Sequence, residues 1–185
     1  MKKGKLIVIS APSGCGKTTI VERLILRHPD LKRSISYTTR TPRAGEIYGQ
    51  DYFFISRDEF IEKKKQNFFL ESAEVFGRYY GTSKDFVADH ISRGISIVLA
   101  IDVQGMKQLK QQSDRDLSMI SIFIMPPSEE VLRNRLENRK TETQEEITKR
   151  LEIARDEIKS KSLYDFVLVN NKVDQVVKSI EEVIT

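Results

Sequence analysis

Residues 10 to 19, Ser10-Ala11-Pro12-Ser13-Gly14-Cys15-Gly16-Lys17-Thr18-Thr19, set small residues and glycines before a lysine and two hydroxyls. The apolar run Leu6-Ile7-Val8-Ile9 leads into them, and Ile20, Val21, Leu24 and Ile25 follow at helical spacing. Strand, glycine loop and helix in that order make a phosphate-binding P-loop. Successive backbone N–H groups of such a loop point inward, and the helix N-terminus adds a positive dipole end. Lys17 then reaches the β- and γ-phosphates of a nucleoside triphosphate, and the Thr18 hydroxyl ligates Mg²⁺. Ala11 departs from the strict pattern, which has glycine there, and alanine disfavours positive φ. The competing reading, a glycine-rich turn with Lys17 merely solvated, ignores the strand and helix on either side.

A second constellation is Ser36-Tyr37-Thr38-Thr39-Arg40-Thr41-Pro42-Arg43-Ala44-Gly45-Glu46. Two arginines three apart, in a segment stiffened by Pro42, can fork onto one phosphate group. Tyr52 and the run Glu71 to Thr82 offer phenols, carboxylates and a hydroxyl. Each of these also has a plain reading: Tyr52 and Tyr80 as half-buried packing residues, Glu71 as a solvated carboxylate. Arg133, Arg135, Arg139, Arg150 and Arg155 form a third group, with Arg135 and Arg139 on one helix face. They are either a solvated face balanced by nearby glutamates or the cations that phosphoryl transfer needs around a γ-phosphate. Asp102 ends an apolar run, where α/β proteins bind ligands. It is a candidate for Mg²⁺, water or substrate contact, or else a helix cap. His28 and His90 have no metal-ligand spacing, and a Ser-His-Asp triad has no local support.

The elements that must position these residues alternate. Leu6–Ile9, Ile95–Ile101, Met119–Met125 and Phe166–Val169 are near-continuous apolar runs, as expected of parallel strands buried on both faces. Helical spacing covers 17–28, 84–93, 103–112, 128–160 and 172–184. This alternation predicts an α/β fold with a mostly parallel sheet. Residues 34–83 break the rhythm with short aromatic strands and a capping box at Ser56-x-x-Glu59, and read as a small mixed-β insertion. Residues 128–160 are charged and helical, interrupted near 138–141, with a second capping box at Thr143-x-x-Glu146. They read as two helices forming a lid.

With 185 residues, 39% hydrophobic and 31% charged, the chain fits one soluble domain with ample core. A single cysteine, Cys15, precludes an internal disulfide and fits a reducing cytosol. A helix N-terminus can lower a thiol pKa, but a small residue tolerated in the loop is the simpler account of Cys15. The apolar run after the basic start is too short for a signal peptide, and no run approaches the ~20 apolar residues of a membrane span. A net charge of +4 suits polyanionic small molecules and permits nucleic acid. The arginines cluster with P-loop chemistry rather than interleaved aromatics, which disfavours nucleic acid.

Taken together the residues resemble the guanylate kinase family. The resemblance is carried by Thr38-Thr39-Arg40-Thr41-Pro42-Arg43-x-Gly45-Glu46, Gly49-x-Asp51-Tyr52, Tyr79-Tyr80-Gly81-Thr82, Ile101-Asp102-Val103-Gln104-Gly105, Pro126-Pro127-Ser128, Arg135-Leu136-x-x-Arg139 with Thr141-Glu142-Thr143, and Arg150-Leu151. It covers nearly the whole chain. It implies a three-layer P-loop core (1–33, 84–127 and 161–185), a GMP-binding insertion (34–83) and a helical lid (128–160). It implies transfer of a phosphoryl group from ATP, with Mg²⁺, to GMP and also dGMP, in the cytoplasm. Arg40, Arg43, Tyr52 and Tyr80 would hold the GMP phosphate. Ser36, Glu71, Thr82 and Asp102 would read guanine, with Gly81 beside them. Ala11 to Thr19 would bind ATP, and Asn170 would approach adenine. Lys17, Arg40, Arg135, Arg139 and Arg150 would be catalytic, and Thr18 would hold Mg²⁺ with Asp102 joining through water. Ala11, Ala100 and Lys140 depart from the family pattern, Ala100 by lacking a common carboxylate. A phosphotransferase acting on a sugar phosphate and a non-catalytic peptide-binding relative are the competing readings. Glu71 and Asp102 disfavour the first, and the intact Gly16-Lys17-Thr18 disfavours the second.

Overall fold

A computed structural model describes residues 3–112, 118–138 and 143–184. The chain runs β1 (Leu6–Ser10), α1 (Lys17–Arg27), β2 (Lys32–Arg33), β3 (Tyr37–Thr38), β4 (Phe53–Phe54), α2 (Arg57–Lys65), β5 (Phe69–Val75), β6 (Arg78–Ser83), α3 (Lys84–Ser92), β7 (Ile97–Ala100), α4 (Val103–Gln111), β8 (Met119–Met125), α5 (Glu129–Glu137), α6 (Gln144–Lys159), a 3-10 turn (Ser160–Leu163), β9 (Phe166–Val169) and α7 (Val173–Ile184).

The main sheet has the order β2-β7-β1-β8-β9 and is parallel throughout. Its central strand, β1, is buried along its whole length. Side chains alternate across a strand, so β1 feeds two cores. Ile7 and Ile9 face Ile20, Val21 and Leu24 of α1, Leu132 of α5, Leu151 of α6 and Val177 of α7. Leu6 and Val8 face Val87 and Ile91 of α3, Met106 of α4 and Phe123. Helices therefore cover both faces, and the core is three-layered. A separate mixed sheet, β4-β3-β6-β5, is parallel between β3 and β4 and antiparallel elsewhere. No helix among the described residues is long and apolar enough to cross a membrane.

Local sequence accounts for the helix starts. Thr143 and Glu146 form a full capping box, each side chain bonding the other's backbone N–H. The box expected at Ser56 is only half formed: Ser56 accepts from Glu59 N at 3.1 Å, while the Glu59 carboxylate turns toward Lys63, 3.8 Å away. Two expectations about strands need correcting. β2 has no apolar run and was not expected; it is a two-residue outer strand beside β7. β9 is not buried on both faces: at the sheet's other edge, Phe166, Val167 and Val169 are 41–47% exposed.

The mixed sheet is tied to the core. Gln108 Nε2 donates to Ser72 O (2.6 Å), its Oε1 accepts from Ser72 N (3.0 Å), and Gln104 Nε2 donates to Glu74 O (3.1 Å). Helix α4 thus fixes β5 up to Glu74.

Candidate active site

The loop between β1 and α1 is shaped by Gly14 and Gly16, with φ of 93° and 83°. Only glycine adopts these angles without strain. Gly14 also makes room: a Cβ there would lie 3.0 Å from Leu132 of α5. Ala11 does not have positive φ, and its methyl is buried in the first core, so the expected cost of replacing glycine does not arise. Gly16 caps α1 without a side chain, which leaves the helix N-terminus open to an anion. Asn170, 1% exposed, braces the loop from behind by donating from Nδ2 to Cys15 O at 2.7 Å. Cys15 is fully buried in the first core, and that burial pushes its thiol up to about 12, opposed by Arg135.

Lys17 Nζ donates to Ile101 O at 3.0 Å. Burial lowers its pKa, and the negative charges of Asp102, Glu157 and Glu71 oppose that. The helix-cap reading of Asp102 holds. Its Oδ1 caps α4 by accepting from Gly105 N at 2.9 Å, while its position after β7 puts it beside Lys17. Thr18 is exposed in the first turn of α1, and its hydroxyl makes no hydrogen bond among the described residues. Ala100 packs against the first core. A further acid near Lys17 and Asp102, besides Glu71, is Glu157 of α6, raised to about 7 by burial. Sequence reasoning passed over Glu157. The signal was its place two helical turns beyond Arg150, on the same face.

Glu71 is 4% exposed on β5. Thr82 Oγ1, on the paired strand β6, donates to its Oε1 at 2.6 Å. Its other oxygen lies so close to Gly105 that a Cβ there would collide with it. Burial raises the Glu71 carboxyl to about 7; the Thr82 hydrogen bond and Lys17 lower it, and Asp102 adds to the rise. Its reading as a solvated carboxylate is therefore excluded. In the sequence Gly105 stands out only as part of the Ile101–Gly105 motif. A glycine inside a helical pattern was the available sign of close packing. Gly81 has its own packing reason, since a Cβ there would meet Phe69 at 2.7 Å.

Arg40 gathers the third set. Its Nη2 donates to Glu46 Oε1 at 2.7 Å and its Nη1 to Thr41 O at 2.8 Å. Its guanidinium lies 5.4 Å from the Tyr52 ring centroid, and Tyr52 and Tyr80 are 6.1 Å apart. Glu46 also accepts from Arg43 N at 2.7 Å, so one carboxylate folds the whole Arg40–Glu46 turn. The Arg43 side chain is exposed. Ser36 gives its carbonyl to Phe53 N at 2.9 Å.

The arginines of the helical pair divide. Arg135 Nη2 donates to Asn170 O at 3.1 Å, and Arg150 Nη1 to Ser13 Oγ at 2.6 Å, so both face the loop. Arg155 instead pairs with Glu129 through two hydrogen bonds and joins α6 to α5. Arg139, Lys140 and Thr141 lie outside the described residues. A separate cavity of about 310 Å³ opens at the N-terminal end of the sheet, away from the loop, lined by Lys5, His28, Asp30 and Ile184. Its Lys5 is committed to Ile184 O (2.9 Å) and His28 to Glu181 (3.2 Å).

Comparison with known proteins places this geometry in a family. The family model described as guanylate kinase matches residues 3–185. A protein named guanylate kinase from Caldanaerobacter subterraneus subsp. tengcongensis is 48% identical over 183 residues, covering 99% of this chain and 87% of that relative. The guanylate kinase of Clostridium tetani is 46% identical over 100% of this chain and 87% of its own length. The crystal structure of guanylate kinase from Anaplasma phagocytophilum superposes with a TM-score of 0.81 at 33% identity, covering 99% of this chain and 85% of that one.

Proposed function

We propose, from the premise that this chain belongs to the guanylate kinase family, that the residues assembled above carry its transfer of a phosphoryl group from ATP to GMP. The chain is a kinase, and its acceptor is GMP. An oxygen of the GMP phosphate attacks the γ-phosphorus of ATP as the bond to the β–γ bridging oxygen breaks, giving GDP and ADP. No general base is needed. Catalysis is positioning plus stabilisation of charge on the transferring group.

The loop Ala11–Thr19 holds the ATP phosphates, with Lys17 on the β- and γ-oxygens. Arg135 and Arg150, which already face the loop, meet the γ-phosphate with Arg139 as a further cation. Arg40, Arg43, Tyr52 and Tyr80 hold the GMP phosphate. Arg40 exchanges its Glu46 partner for that phosphate in this reading. Glu71, Thr82, Asp102 and Ser36 read guanine, with Gly81 beside them. Asn170 backs the loop, and the segment around it lies toward adenine. Since these groups address base and phosphate, dGMP is also an acceptor. The division into a core, an insertion (34–83) and a lid (128–160) follows the same reading, as does a cytoplasmic location.

Mg²⁺ fits the donors present. The Thr18 hydroxyl is uncommitted and the Asp102 carboxylate stands nearby in the strand-end cleft, both hard oxygens. Magnesium keeps several waters and takes few protein ligands when phosphates are present. When bound with ATP it neutralises charge developing on the β- and γ-oxygens.

One observation carries the reading: a buried carboxylate, Glu71, held by Thr82 against Gly105 beside Asp102. Guanine presents two donors on one edge, N1–H and the 2-amino group, and a carboxylate accepts both. Adenine presents a bare acceptor there. A site built for hydrogen bonding rejects the wrong base by ~10⁴ or more. The test is the ratio of kcat/KM for GMP and AMP in the wild type and in Glu71→Ala. The ratio should shrink strongly in the variant through a raised KM for GMP. A ratio that does not move removes Glu71 from base recognition.

A further inference from the structure

The turn between β5 and β6 holds an anomaly that the roles above do not use. Val75 and Arg78 pair across the hairpin, so Phe76 and Gly77 form a two-residue turn. Both have positive φ, 51° and 71°. Such turns favour Asn-Gly, because the first residue must enter the left-handed region. A phenylalanine there is strained, and backbone strain of this kind gathers at functional positions. The ring does not repay the strain by burial, since Phe76 is 43% exposed. It lies instead with its centroid 4.7 Å from the guanidinium carbon of Arg150. The same guanidinium donates to Ser13 Oγ in the phosphate loop.

Three parts of the molecule thus meet at one cation: the hairpin, helix α6 and the phosphate loop. The hairpin strands also carry Glu71, Tyr80 and Thr82. Helix α4 fastens β5 only as far as Glu74, so the tip bearing Phe76 projects beyond the tie.

We propose that Phe76 is a positioning residue that holds Arg150 over the phosphate loop and thereby makes acceptor binding on the hairpin strengthen ATP binding. The proposal rests on the assignment of GMP to those strands and of Arg150 to the ATP phosphates. An aromatic face attracts a guanidinium and keeps it planar against the ring. GMP held by side chains of β5 and β6 fixes the hairpin, which fixes the ring, which presents Arg150 already aimed at the triphosphate. Coupling between two binding sites is reciprocal, so ATP must tighten GMP by the same factor.

The experiment measures binding of a non-hydrolysable ATP analogue by calorimetry, with Mg²⁺, with and without saturating GMP. The variants are Phe76→Asn, which removes the ring while relieving the backbone, and Phe76→Tyr, which keeps the face. In the wild type GMP should tighten the analogue by ~5-fold or more. Phe76→Asn should reduce this factor to below about twofold, with GMP affinity alone and melting temperature retained, and Phe76→Tyr should restore it. A purely structural role would lower the melting temperature and leave the coupling factor of the folded protein unchanged. Wild-type coupling in Phe76→Asn overturns the proposal while leaving the GMP assignment standing. Failure of the wild type to bind GMP at all overturns both.

Discussion

At the scale of single residues, burial sets the charge state of the groups at the centre of the site. Glu71 is the extreme case. Burial raises its carboxyl to about 7 from an ordinary value of 4.5, and two opposite pH trends follow. The folded protein holds the Glu71 proton more tightly than the unfolded chain does. That stabilisation is complete below about 4.5 and is lost as pH rises toward about 7. Reading guanine needs the carboxylate form, so GMP binding should strengthen over the range where stability weakens. The KM for GMP should fall by up to ~10-fold from about pH 6 to about pH 8. Glu71→Gln should remove the part of that change that belongs to the protein, leaving only the titration of the GMP phosphate. A variant whose profile matches the wild type would show that Glu71 does not titrate in the binding step. The phosphate loop and the paired arginines were legible in the sequence because their chemistry is written in residue type and spacing. Glu157 and Phe76 were not, since a glutamate on a charged helix and an aromatic in a hairpin have many plain explanations until their neighbours are known.

At the scale of elements, helix α4 carries more of the site than any catalytic residue on it suggests. Asp102 caps it, Gln104 and Gln108 tie β5 to it, and Gly105 leaves the gap that Glu71 fills. Gly105→Ala sets two effects against each other. Alanine favours a helix interior by ~1 kcal/mol over glycine, but its methyl occupies the space of the Glu71 carboxylate. The collision is with a side-chain end, so the fold survives and the carboxylate moves. Melting temperature should therefore hold or rise while the KM for GMP climbs ~10-fold and the KM for ATP stays put. Equal KM values for GMP in the two proteins would show that the packing of Glu71 on α4 has no bearing on recognition. The strands of the main sheet were readable as apolar runs where they are central. The rule failed at both edges: β2 is a charged pair of residues with no run to find, and β9 has the run without the burial. An edge strand is covered on one side only, so apolar continuity stops reporting burial there.

At the scale of the whole molecule, the elements that carry the cations touch one another. Leu132 and Leu136 seat α5 in the core, and Phe76 of the hairpin meets Arg150 of α6. On the proposed assignment, phosphates would replace the partners of Arg40 and Arg150, draw the lid and insertion together and exclude water from the reaction. Small-angle scattering should show a smaller radius of gyration with GMP plus a non-hydrolysable ATP analogue than with neither. An unchanged radius at saturation of both sites would mean that the lid and insertion do not move. The mostly parallel sheet with its alternating helices, the mixed insertion and the helical pair are legible in the sequence, because each has its own periodicity. How the insertion is stitched to the core is not, because two glutamines bonding to backbone leave no pattern in a sequence. The central claim, that this molecule moves a phosphoryl group from ATP to guanine nucleotide and no other, is tested most directly by ADP formation from ATP and Mg²⁺ with GMP, AMP, CMP or UMP as acceptor. The account predicts turnover with GMP and rates lower by ~10⁴ in kcat/KM with the other three. Comparable turnover with AMP, or none with GMP, would contradict it.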